Sequence, residues 1–172
     1  MNRITLLTIL AIILTVPCFA QESSIVKTVD SLTLIWDREA VILETYDGMK
    51  EYCTNGQHRR NTINLVKVIH HYDSVLYKTV SRKYDESQDE EAHATLKDIE
   101  KLEKDYTTKN FLDFIHTECS EFNEIEKNYG RSKGKKYDKE VEKMEKELVK
   151  YVGAITGQID IIDEHVHHLE GL

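Results

Sequence analysis

The chain has 172 residues, with 23 basic against 31 acidic side chains, a net charge of −8 and 40% apolar residues. That length and apolar content are enough for one domain with a sizeable core, and the acidic balance argues against generic nucleic-acid binding. A single proline and seven glycines, with abundant Glu, Lys and Leu, favour helix nearly everywhere.

Residues 1–20 read as a signal peptide. Arg3 supplies the positive start, Ile4 to Val16 the apolar run, and Cys18-Phe19-Ala20 a small-x-small cleavage site before Gln21. Pro17 breaks the helix where a peptidase needs extended chain, and the run is short for a membrane span. A lipidated Cys18 is the rival reading, and Val16-Pro17 is a poor pair to precede it. Losing Arg3, the segment's one charged residue, takes the net charge from −8 to −9. The expected mature protein, 21–172, is a single helical-bundle domain in the periplasm, at the cell surface or outside the cell, and not integral to the membrane.

Helix one is predicted to start between Ser23 and Asp30 and to run to Cys53, with Ile25, Val29, Leu32, Ile35, Trp36, Leu43, Tyr46 and Met49 on one face. Thr54-Asn55-Gly56 ends it. Gln57 to Arg60 form a basic connection, and Asn61 is the expected N-cap of helix two, whose stripe is Leu65, Val66, Ile69, Tyr72, Leu76 and Val80. A polar loop follows, 85–91. Helix three begins in phase at Ala92, Leu96, Ile99, Leu102 and Tyr106, but Phe111, Phe114, Ile115, Phe122 and Tyr129 are centred more than a quarter turn away. The shift predicts a kink, a π-bulge or a break at 107–110. Gly130 to Lys136 make the last loop. Helix four, Tyr137 to Leu169, carries Val141, Met144, Leu148, Ile155, Ile159, Ile162 and Val166 without missing a turn. Gly153 and Gly157, four apart, signify close approach to a neighbour or a local weakness.

Short connections between long helices predict an all-α, antiparallel up-down-up-down four-helix bundle. That topology gathers Arg59, Arg60, Arg131, Lys133, Lys135 and Lys136 at one end and the acids of 85–91 and 160–164 at the other. A basic end on an exported acidic protein suits an anionic surface or an unidentified protein partner. The sequence leaves room for a homo-oligomer.

Two of the three cysteines, Cys53 and Cys119, survive processing and form a candidate disulfide. Eight histidines raise the question of a divalent transition metal. Glu90 with His93, and Glu164 with His165, His167 and His168, each contain Glu-x-x-His, the spacing that sets two ligands on one helical face. A continuous helix through Leu169 turns Glu164 and His167 outward and leaves His165 at the edge of the apolar stripe. A second candidate is a mid-bundle carboxylate group, Glu39, Asp73 and Glu118, with His70 one turn from Asp73. In the simple register this group competes with the disulfide, because joining Cys53 to Cys119 slides Glu39 away from Glu118.

No nucleophile stands in a strained turn beside a placed histidine and acid, and neither a phosphate loop nor a covalent haem motif is present. The first reading is therefore a non-enzymatic interaction or structural module without a cofactor. The alternative is a metal- or cofactor-binding bundle that uses the His/Glu-rich helix end or the carboxylate group.

Overall fold

A computed structural model describes residues 24–103 and 110–170. The expected signal peptide, 1–20, lies outside the described residues. The described residues form an all-α bundle with no strand among them. It comprises α1 (Ser24–Leu43), α2 (Tyr46–Thr54), α3 (Gly56–Ser87), α4 (Glu90–Leu102), α5 (Phe111–Tyr129) and α6 (Lys135–Glu164), followed by a 3-10 turn, Val166–His168. Six helices, rather than four, account for these residues. None of them is long and apolar enough to cross a membrane.

The stripe of α6 organises the core as its spacing predicts. Met144, Leu148, Tyr151, Val152, Ile155, Ile159 and Ile162 are all buried, against Trp36, Met49, Ile69, Leu76, Ile99 and Ile115 from the other helices. Each fully buried side chain of this size contributes on the order of 2 kcal/mol. The Trp36 indole N–H donates to Thr156 Oγ1 at 2.9 Å, and the Tyr46 amide donates to Glu145 Oε1 at 3.0 Å. Rising residue number from Trp36 in α1 to Tyr46 at the start of α2 thus matches falling number in α6, so α1 runs antiparallel to α6. Gly157 permits close packing, since a Cβ there would stand 3.1 Å from a Leu102 methyl, whereas Gly153 faces open space.

Helix one divides in two. Thr45 is extended (φ −116°, ψ 149°) and caps α2 by accepting from the Gly48 amide at 3.0 Å. The turn is tight enough that a Cβ on Gly48 would collide with the Ile42 carbonyl oxygen. Beyond this break α2 folds back on α1, so that the Tyr52 hydroxyl reaches Glu39 Oε2 at 2.6 Å. The connection to α3 is a single residue. Asn55 ends α2, and its side chain accepts from the amides of Gln57 and His58. The expected loop at Gln57 to Arg60 is therefore already helix, and Asn61 is not its cap.

Helix three is represented by α4, ending at Leu102, and α5, beginning at Phe111. Most of the predicted break, 107–110, lies outside the described residues. Asp89 caps α4 by accepting from the Ala92 amide at 2.9 Å, after a two-residue turn in which Gln88 is left-handed. Cys53 and Cys119 form a disulfide between α2 and α5, with their Cα atoms 5.3 Å apart. The back-folding of α2 makes this possible, because it lowers Cys53 from the tip expected of an unbroken helix to the level of mid-α5.

Candidate metal centre

At the end of α6 the sequence Glu164-His165-Val166-His167-His168 leaves the α-helix. His165 is the C-cap, and the following residues tighten into a 3-10 turn in which the His168 amide bonds the His165 carbonyl at 3.0 Å. Leu169, fully buried, anchors the turn. Residues three apart eclipse in a 3-10 turn, so His168 lies over His165 with ring centroids 6.0 Å apart and an interplanar angle of 22°. The His168 side chain is only 5% exposed.

The three imidazoles face Glu91, in the first turn of α4. Its Oε1 is 3.2 Å from His167 Nε2, 3.8 Å from His168 Nε2 and 3.9 Å from His165 Nδ1. One potential ligand atom from each of the four residues falls within 4.8 Å of all the others. Ligands about 2.1 Å from a tetrahedral zinc stand about 3.4 Å apart, and the three Glu91–histidine separations, 3.2–3.9 Å, bracket that value. Two of its nitrogens, His165 Nδ1 and His168 Nε2, are buried without a hydrogen-bond partner. Burial, with His167 and Lys83 nearby, lowers the His168 pKa below the usual histidine value and keeps its lone pair available.

Thr95 orients one of these rings. Its hydroxyl donates to the Glu91 carbonyl at 3.0 Å and lies 3.4 Å from His165 Nε2. With its proton committed, Thr95 offers His165 an acceptor only. A proton on Nε2 donated to this oxygen leaves Nδ1 directed at the cluster, so the contact is compatible with a ligand role for His165.

Of the six residues expected here, His165, His167 and His168 come together and Glu90, His93 and Glu164 do not. Glu90 and Glu164 are exposed, and His93 stacks on Tyr84 with centroids 4.6 Å apart. Glu91 stands where Glu90 was expected, because the inward face of α4 runs through Ala92, Thr95 and Ile99, and Glu91 is one turn from Thr95. That signal is present in the sequence but is hidden by the Glu-x-x-His spacing. The inward turn of His168 has no such signal, since it follows from the change of helix type.

The mid-bundle group also assembles differently. Glu39 is tied to Tyr52 and Thr62 at 2.6 and 2.8 Å and stands 3.5 Å from His58. Glu118 is buried near Glu121 and Glu147, with Lys143 partly offsetting them, and burial with that repulsion pushes its carboxyl up to about 7. Asp73 and His70 instead meet Glu103 at the end of α4. Burial and the facing Glu103 carboxylate push Asp73 up to about 7. Glu39, Asp73 and Glu118 therefore do not form one group, and the disulfide forms through the back-folding of α2 rather than through the sliding of an unbroken helix one that the expected competition assumed.

The basic residues are split by the same register. Arg59 and Arg60 lie within a turn of Thr62, whose hydroxyl meets Glu39, one turn from Trp36 and hence near the middle of α6. Lys135 and Lys136 open α6, on the order of 20 Å further along at 1.5 Å per residue. Arg131, Lys133, Lys135 and Lys136 are exposed near the α5–α6 turn, with Lys133 Nζ 5.3 Å from the Tyr137 ring centroid.

Neither a family model, nor a curated protein, nor a solved structure matches this chain.

Proposed function

We propose that this chain is an exported helical bundle that binds a divalent transition metal, of the Zn²⁺, Cu²⁺ or Ni²⁺ type, through Glu91, His165, His167 and His168. The observation that carries the reading is His168, whose nearly dry, unpartnered Nε2 points at a carboxylate oxygen 3.8 Å away, between two further imidazoles. Three imidazoles and one carboxylate are a borderline donor set that suits these ions better than Mg²⁺ or Ca²⁺. Four protein ligands fill a tetrahedral shell, which favours holding or transferring the ion over hydrolytic chemistry, where one position stays open. The Cys53–Cys119 disulfide supports an oxidising, exported setting. Docking to an anionic surface has less support, because Arg59 and Arg60 stand apart from the other basic residues.

Zn²⁺ titration by calorimetry, with elemental analysis of the dialysed protein, tests the reading. Wild type is expected to retain a stoichiometric ion that His168→Asn and Glu91→Gln lose, while circular dichroism of the metal-free proteins stays unchanged. Binding that survives both substitutions, or no stoichiometric binding by wild type, overturns it.

A further inference from the structure

We infer that His70, Asp73 and Glu103 form a second cation site, separate from the terminal one and selective for a harder divalent ion such as Mn²⁺. His70 and Asp73 are three apart on α3 and so share a face, and Glu103 is the C-cap of the antiparallel α4. His70 Nδ1 is 4.0 Å from Glu103 Oε1, and the three ligand atoms lie within 4.8 Å of one another.

Asp73 is the decisive residue. It is 2% exposed, and its Oδ1, like Glu103 Oε1 and His70 Nδ1, is buried with no hydrogen-bond partner. Two ionised carboxylates only accept hydrogen bonds, so Asp73 and Glu103 need either a shared proton, which the raised Asp73 carboxyl and its hydrogen bond to Glu103 represent in the metal-free chain, or a cation between them. Among the described residues no lysine or arginine forms an ion pair with either. Glu103 also stands at the C-terminal end of α4, where the partial negative charge of the last carbonyls disfavours a bare carboxylate. A divalent cation that displaces the shared proton meets all three demands and also engages His70.

The donor set differs from that of the terminal site. Two carboxylates and one imidazole, with His70 and Glu103 each one-third exposed for entry and completion by water, suit Mn²⁺, whereas three imidazoles and one carboxylate suit Zn²⁺. Glu91 and Glu103 are twelve residues apart on α4, so the sites are separated by roughly 18 Å. Loss of one site therefore leaves the other's ligands in place.

The test uses the full mature chain carrying His167→Asn and His168→Asn, which disables the terminal site. Mn²⁺ is titrated in while the electron paramagnetic resonance signal of the free ion is followed. One Mn²⁺ per chain is expected, lost on adding Asp73→Asn and also on adding Glu103→Gln, which lies at the helix end and leaves the fold intact. Absence of stoichiometric Mn²⁺ binding overturns the inference, as does binding that persists in the Glu103→Gln chain. Because two of the four terminal ligands are already removed, neither result depends on whether that site binds zinc.

Discussion

Thr95 and His165, seventy residues apart in sequence, meet with the threonine hydroxyl 3.4 Å from the ring Nε2. The same hydroxyl is bonded to the backbone of Glu91, so one residue joins the orientation of a histidine to the turn that carries the facing carboxylate. Thr95→Val keeps the shape of this buried side chain and removes the acceptor. Metal affinity is expected to fall roughly tenfold to a hundredfold, measured by Zn²⁺ calorimetry, with Thr95→Ser restoring most of it. A purely structural role would instead lower the melting temperature of the metal-free protein and leave affinity unchanged.

The break between α1 and α2 depends on Gly48. A methyl group there meets the Ile42 carbonyl oxygen, which is backbone and cannot rotate aside. Gly48→Ala is expected to destabilise the fold by about 3 kcal/mol, at the upper end of overpacking costs. Urea denaturation measures this, and Gly153→Ala, where a Cβ has open space, is the control and is expected to be neutral or slightly stabilising.

The disulfide closes a loop with a sequence separation of 66. Loop-closure entropy alone gives such a bridge roughly 4 kcal/mol. Cys53→Ala with Cys119→Ala, or reduction by dithiothreitol, is expected to lower stability by about 2–4 kcal/mol, read as a shift in the urea midpoint. Wild type without reductant should show no free thiol on these two cysteines when unfolded in an alkylating agent.

Glu118 sets a pH dependence. Its carboxyl, ordinarily near 4.5, is pushed up to about 7 by burial first and then by Glu121 and Glu147, with Lys143 opposing. A folded-state value above the unfolded one means the folded chain holds this proton more tightly. The associated stability is fully present below about pH 4.5 and is lost as the pH rises through 7. Glu118→Gln removes the cost of ionisation in the core. It is expected to raise stability by about 1–2 kcal/mol at pH 8, after allowing for solvent screening near the surface. The gain should shrink as the pH falls toward 4.5, which thermal melts across that range measure.

Much of the fold was legible because helix formation and burial follow local spacing. The α6 stripe, a turn before α4, though it occupies only residues 88–89 of the expected 85–91, and the pairing of Cys53 with Cys119 were all accessible from residues read a few positions at a time or from the cysteine count. The α1–α2 break was missed because Thr45 and Gly48 lie within an apolar pattern that continues across them, and one unbroken helix satisfies that pattern equally well. Asn55 both ends one helix and caps the next, and its place in the Thr-Asn-Gly signal points only to the first role.

The sites were less legible. His165, His167 and His168 stood out as metal-ligand types, yet the carboxylate facing them, Glu91, is one position from the expected Glu90. Asp73 and His70 were identified, but their partner is Glu103 and not Glu39 or Glu118. By itself the sequence determined that the described chain is helical, which face of most helices seeks the core and which side chains have the chemistry of ligands, since these are local properties, whereas helix ends such as Leu43, Gly56 and Glu164 were not legible. Tertiary structure alone decided which of those side chains meet, because a slip of one residue turns a helix by about 100°, and only packing of whole helices against one another fixes that rotation.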